Sequence, residues 1–135
     1  MVAKCSWGEV GMTICYDLRF PSLYRTLALG GAKVITVPAA FTSFTGAAHW
    51  HVLLRARAIE TGSFIIAPGM CGKHSGGRST YGHSLIINPW GEVLKDAGNS
   101  EGVIIADIDL TLVDESRARI PSLKGDRLFN LTYCN

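Results

Sequence analysis

Val10-Gly-Met-Thr-Ile-Cys-Tyr-Asp-Leu-Arg-Phe-Pro-Ser-Leu23 runs from a β-branched apolar segment, through a charged turn, into a proline. Val10, Met12 and Ile14 read as the core side of a strand, and Phe20 is driven extended by the proline after it. Pro21 suits the first turn of a helix, where its missing N–H has no intrahelical partner to lose. Leu23, Leu27 and Ala28 continue at helical spacing to Gly30-Gly31, a pair able to take the left-handed backbone of a helix stop. Cys15 therefore stands at a strand-to-helix corner. Open α/β sheets bind ligands beyond the carboxyl ends of their strands, so a thiol there meets substrate, with the next backbone N–H groups aimed at whatever binds. The bland alternative is a buried, inert cysteine, as most free cysteines are.

Strand and helix signals alternate along the rest of the chain in the manner of βαβ units, which makes the fold class α/β. Residues 33–38 read as a short buried strand, 46–60 as a helix through Trp50, Leu54 and Ala58, and 64–68 as a further buried strand. The Gly-rich stretch 71–80 reads as a mobile loop near the site entrance and lacks the spacing of a phosphate loop. Residues 83–96 predict a hairpin around Asn88-Pro-Trp-Gly91, whose proline and glycine suit a type I turn. Residues 103–109 alternate apolar with small or acidic side chains, and Thr111 is placed to cap a last helix ending before Pro121. Trp-Gly-Glu-Val occurs at 7 and at 90, which shared hairpin chemistry explains better than an internal repeat.

A chain of 135 residues with 47% hydrophobic and 18% charged content suits one well-buried α/β unit. Net charge is +2 and the basic residues are scattered, so no footprint for nucleic acid or a membrane surface is present. No apolar run approaches the ~20 residues of a bilayer span, and no secretory signal is apparent. The cytosol is the expected compartment, with a mitochondrial location left open. Cysteines 5, 15, 71 and 134 show neither metal-ligand pairing nor a dense disulfide spacing, so reduced thiols are expected. Of the histidines, His49 and His51 are two apart on a helix and face different ways, which suits neither a thiol-histidine pair nor a metal site. His83 reads as a structural hydrogen-bonding residue and His74 as a solvated loop residue. No metal and no cofactor are expected.

Ile14-Cys-Tyr-Asp-Leu-Arg-Phe-Pro21, Val37-Pro-Ala-Ala-Phe41, His49-Trp50, Arg55-Ala-Arg-Ala-Ile-Glu60 and Tyr81-Gly-His-Ser84 together resemble the nitrilase superfamily of carbon-nitrogen hydrolases. The nearest branch is that of the amidases acting on deaminated glutathione and related ω-amides, and the likeness spans residues 7 to about 127. It implies a hydrolase of a non-peptide carbon-nitrogen bond in a small carboxylate-bearing amide, working through a cysteine thioester. Cys15 would be the nucleophile and the Tyr16 backbone N–H an oxyanion donor. A free thiol with pKa ~8.5 is only a few per cent thiolate at neutral pH, which is why such an enzyme needs an activating base and fixed donors.

The same resemblance assigns Arg19, Phe41 and Thr45 to the substrate pocket. Arg19 could grip a carboxylate through two parallel hydrogen bonds; its alternative is a salt bridge with Asp17 or Glu60. Residues 1–135 are expected to be one partial domain, the second half of a four-layer αββα sandwich, with an apolar sheet face lacking its usual cover. Such a face favours a homo-oligomer or association with a complementary amino-terminal half. The family's activating glutamate and oxyanion lysine lie well upstream of the cysteine, so the isolated chain is expected to be inactive. Lys4 and Glu9 flank a hairpin turn, and Glu60 reads as a helix-face partner of Arg57, so none of the three replaces them. The rival function class is a non-catalytic half-domain that associates with full-length relatives.

Overall fold

The computed structural model describes residues 1–125, 127 and 130–133; the expectation for Cys134 therefore lies outside the described residues. In chain order the elements are β1 (Val2–Cys5), β2 (Gly8–Met12), a 3-10 turn (Cys15–Arg19), α1 (Pro21–Leu29), β3 (Val34–Thr36), α2 (Ser43–Thr61) and β4 (Phe64–Ala67). There follow β5 (Cys71–Lys73), β6 (Ser79–Tyr81), β7 (Leu85–Ile87), β8 (Val93–Asp96) and α3 (Thr111–Arg119). One six-stranded sheet has the order β1-β2-β3-β4-β7-β8, and β5 pairs with β6 in a small second sheet. The centre, β2-β3-β4, is parallel and joined by the α1 and α2 crossovers, whereas β1, β7 and β8 add on as antiparallel edges.

Register separates the two faces of this sheet. Gly11, Ile35, Ile65 and Ile87 lie opposite one another across the strands, on the face packed against Tyr24 and Leu27 of α1 and Trp50, Leu54 and Ala58 of α2. The other face carries Val34, Phe64, Ile66 and Leu94, which α3 covers through Val113, helped by Ile108 and Leu110. Strand parity at β2 corrects the expectation that Val10, Met12 and Ile14 form the core side. Gly11 and Thr13 are the buried positions, while Met12 and Ile14 are 51% and 64% exposed. The reason is steric: a Cβ at Gly11 would stand 3.1 Å from Ala32 Cβ and 3.2 Å from Ile35 Cγ1, so any larger residue would push these neighbours apart. With Gly11 turned toward the helices, the period-two geometry turns Met12 outward.

Other local expectations are met or shifted for identifiable reasons. Pro21 opens α1 as expected, and Gly31 supplies a positive φ of 98° just past its end. α2 begins three residues before the expected Gly46, because the Thr42 hydroxyl accepts from the Thr45 N–H at 3.3 Å and caps the helix there. The Gly91 N–H closes the turn onto the Asn88 carbonyl at 2.9 Å. Residues 71–80 are a short hairpin rather than a loop, pairing Cys71 with Tyr81 and Lys73 with Ser79. His74 is half-buried, and its Nε2 lies 2.7 Å from Thr80 Oγ1. Residues 103–109 keep the alternation without becoming a strand. Ile104, Ala106 and Ile108 are half-buried and Val103 and Ile105 exposed, but no ladder partner pairs with this stretch among the described residues. Thr111 is the first residue of α3 rather than its cap; the position before it is Leu110, whose apolar side chain makes no cap, and Asp109 Oδ1 accepts from the Thr111 N–H and hydroxyl. Cys5, Cys15 and Cys71 are free thiols, and no helix among the described residues is long and apolar enough to cross a membrane.

Candidate functional site

Cys15 is the first residue of the 3-10 turn that follows β2, and its φ of +46° is a left-handed conformation seldom adopted by a side-chain-bearing residue. The surroundings hold it there. Its N–H donates to the Pro38 carbonyl at 2.9 Å, tying it to the chain just past β3, and the Asp17 carboxylate accepts from the Ile14 N–H at 3.0 Å. On its far side Leu18 is fully buried, and its carbonyl accepts from Arg57 Nε and Nη2 at 3.0 and 2.9 Å. Arg57 Nη1 in turn pairs with Glu60 at 2.9 Å. Strain at a strand-to-helix corner, held by long-range contacts, is the arrangement by which a nucleophile is exposed at a sheet edge.

The half-buried thiol borders two depressions beyond the carboxyl ends of the parallel strands. One, of about 570 Å³, is an apolar cleft between Ile14, Pro38, Ala39, Pro68, Gly69 and Ser84. The other, of about 280 Å³, brings Cys15 together with Tyr16, Arg19, Phe41, Thr45 and Arg78. All five residues singled out from the sequence thus meet in one place. The Tyr16 N–H lies ahead of the turn's first internal hydrogen bond, from Asp17 N–H to Ile14 O at 3.0 Å, so it belongs to the unpaired donors of a helix start.

Arg19 takes neither carboxylate considered for it. Its guanidinium lies over the Phe41 ring at 5.2 Å and near the Tyr16 ring at 5.5 Å, with Nη1 3.3 Å from His49 Nδ1. Asp17 is engaged by the Ile14 N–H and Glu60 by Arg57. This leaves the Arg19 charge facing the depression. Arg78, which nothing in the glycine-rich stretch marked out, adds a second cation there and is steadied by the Ala40 carbonyl at 3.0 Å. Glu60 borders neither depression; burial pushes its carboxyl above the usual range, and the charge and hydrogen bond of Arg57 moderate that rise. Lys4 and Glu9 face each other across the β1-β2 hairpin.

Gly69 shows how tightly the cleft floor is built. Its N–H donates to Ser84 Oγ at 2.9 Å, and a Cβ there would come to 2.2 Å from the Gly82 carbonyl oxygen. Gly69→Ala is expected to lower stability by about 2 kcal/mol, because backbone rather than a flexible side chain must yield. Chemical denaturation of the two proteins measures the difference.

The mixed α/β sheet thus presents a cysteine with a left-handed backbone at its carboxyl edge, beside a depression lined by two arginines. The carbon-nitrogen hydrolase model matches residues 1–118, and the chain belongs to that family. It is 51% identical over 119 residues to a protein named deaminated glutathione amidase from Synechocystis sp. (strain PCC 6803 / GT-S), covering 88% of this chain and 44% of that one. The human protein of the same name is 46% identical over 120 residues, covering 89% and 37%. Among solved structures, the C. elegans NitFhit protein superposes with a TM-score of 0.86 at 42% identity, covering 89% of this chain and 29% of that one. Saccharomyces cerevisiae Nit3, a member of the nitrilase superfamily, gives 0.84 at 32% identity, covering 90% and 45%. The fold is therefore of the expected α/β nitrilase type, and the chain spans less than half the length of these relatives.

Proposed function

We propose that this chain carries the nucleophile and carboxylate-binding side of an amidase active site, acting on a small amide that bears a carboxylate, such as deaminated glutathione or an ω-amide. The observation that carries the reading is the meeting of Cys15, the Tyr16 N–H and Arg19 in one depression. The Cys15 sulfur adds to the amide carbon, and the carbonyl oxygen becomes an oxyanion against the Tyr16 N–H. The activating base takes the thiol proton and passes it to the nitrogen; collapse breaks the C–N bond, expels the neutral amine and leaves a thioester, which water hydrolyses to the free acid and the thiol. Arg19, which has no carboxylate partner among the described residues, takes the substrate's own.

The activating base and a further oxyanion donor come from a complementary segment beyond the two depressions, so the 135 residues alone turn over no amide. Met12 and Ile14, exposed at the end of β2 beside Cys15, support docking of that segment there. The test is a chimera in which this chain replaces the matching region of the Synechocystis relative. It is expected to hydrolyse an ω-amide that the chain alone leaves intact. A folded chimera without hydrolysis, or turnover by the isolated chain, contradicts the proposal.

Within that chimera, Arg19→Ala is expected to raise KM for the carboxylate-bearing amide by about 10- to 100-fold, the worth of a charged hydrogen-bonded contact. The corresponding neutral amide should lose little. Steady-state kinetics on the two substrates separate this from a general loss of activity.

A further inference from the structure

Three residues converge from α2, from the chain just before β7 and from the end of β8. His51 Nε2 lies 2.9 Å from Asp96 Oδ2, and His83 Nδ1 lies 2.9 and 3.0 Å from Asp96 Oδ1 and Oδ2. One nitrogen from each imidazole and a carboxylate oxygen all fall within 4.8 Å of one another. We propose that His51, His83 and Asp96 form a binding site for a divalent transition-metal ion of the zinc type, one that clips β8 onto α2.

The donor set fits that ion. Two imidazoles and one carboxylate are borderline ligands suited to zinc, and three protein ligands leave a fourth tetrahedral position for water. Tetrahedral zinc holds N and O donors at about 2.0–2.1 Å, so its ligands stand about 3.3 Å apart; the two imidazole–carboxylate contacts need to widen by about 0.4 Å, while the donor atoms as a set already lie within 4.8 Å of one another. The side chains are 32%, 21% and 33% exposed, so an ion and its water reach them from solvent.

The surroundings hold the donors in place before an ion arrives. The Tyr81 ring stacks on His83 with centroids 4.3 Å apart at 22°, and His51 meets both rings edge-on, at 5.9 Å from Tyr81 and 5.1 Å from His83. Asp96 Oδ1 accepts from the Gly98 N–H at 2.8 Å, which orients the carboxylate as outer-shell partners orient metal ligands. The His83 N–H reaches the Gly98 carbonyl at 2.7 Å and its own carbonyl accepts from Trp50 Nε1 at 2.7 Å, so this residue, at a left-handed φ of 52°, is fixed on both sides. Hydrogen bonds to one shared carboxylate occupy the imidazole nitrogens meanwhile. Moving each ring proton to the opposite nitrogen, or releasing it, frees the lone pairs for the ion.

The experiment titrates Zn²⁺ into the tag-free 135-residue chain. Calorimetry is expected to give one site of micromolar affinity or better, with imidazole ¹⁵N signals of His51 and His83 shifting and those of His49 and His74 staying in place. Co²⁺ in the same site should give tetrahedral visible bands without thiolate charge transfer. His51→Gln and Asp96→Asn are each expected to weaken binding at least tenfold, and two variants at different positions guard against one that fails to fold. Absence of saturable binding, thiolate charge transfer from cobalt, or unchanged affinity in both folded variants overturns the site.

Discussion

Cys15→Ala is expected to lower kcat/KM for the ω-amide by at least about 10³-fold in the chimeric enzyme, roughly 4 kcal/mol of transition-state stabilisation. The size follows from what else lines the two depressions. The hydroxyl-bearing residues that line them are Tyr16, Thr42, Thr45 and Ser84. Ser84 is bound to the Gly69 backbone, and Thr42 and Thr45 bond each other at 2.9 Å. A neutral hydroxyl without a base attacks an amide far more slowly than a thiolate, so none of them replaces the sulfur. What survives is the contribution of the fixed donors and of binding, which is why Arg19 is expected to act on KM while Cys15 acts on turnover. Alanine keeps the Cβ and the backbone demand of cysteine, so circular dichroism and the thermal midpoint should match the parent. Turnover retained by Cys15→Ala would move the chemistry to another residue.

Much of this site was legible because its signals are local. An apolar run, a charged turn and a proline at 21 place a cysteine at a strand end without any long-range information. Arg19, four residues on in the same tight turn, was within reach on position alone, but that Phe41 and Thr45 gather around Cys15 came only from the resemblance, since 26 and 30 positions separate them from it and no periodicity joins them. Strand parity at Met12 was illegible for a tertiary reason: the close approach of Ala32 and Leu27 to Gly11 decides which side faces the helices. The hairpin at 71–80 hid behind glycines whose positive φ values at 72, 76 and 77 read as loop chemistry, while its ladder depends on register with Tyr81. The meeting of His51 with His83 and Asp96 escaped for the same reason. Judged along the helix, His51 had only His49 to compare with, whereas its actual partners arrive from a hairpin thirty and more residues away.

Arg57→Ala is expected to remove about 3 kcal/mol of stability and about 10 °C of Tm for a chain of this size. Arg57 is 6% exposed, and its guanidinium makes two bonds to the Leu18 carbonyl and one to Glu60 while lying 5.4 Å from the centre of the Tyr24 ring. Truncation strands a buried carbonyl in the turn that carries Cys15 and leaves the Glu60 carboxylate without its hydrogen-bonded cation; the charge of Arg25 and the partial exposure of Glu60 keep the loss at the lower end for broken buried pairs. Tyr24, whose hydroxyl burial pushes to a pKa of about 12 against its bond to Thr13, stays neutral and cannot compensate. The effect carries a pH signature. Burial raises the Glu60 pKa in the folded state, so ionising Glu60 costs stability above that value, and the cost disappears as pH falls toward the unfolded value. Arg57 offsets part of that rise; without it the folded pKa climbs further and the cost at neutral pH grows. The stability gap between Arg57→Ala and the parent should therefore be widest near pH 7 and narrow toward about pH 4. Urea titrations at both pH values read it directly. A gap that does not change with pH would assign the loss to the Leu18 carbonyl alone. Arg57→Lys, a point charge without the planar fork, should keep most of the charge effect on Glu60 and lose one of the two bonds to Leu18.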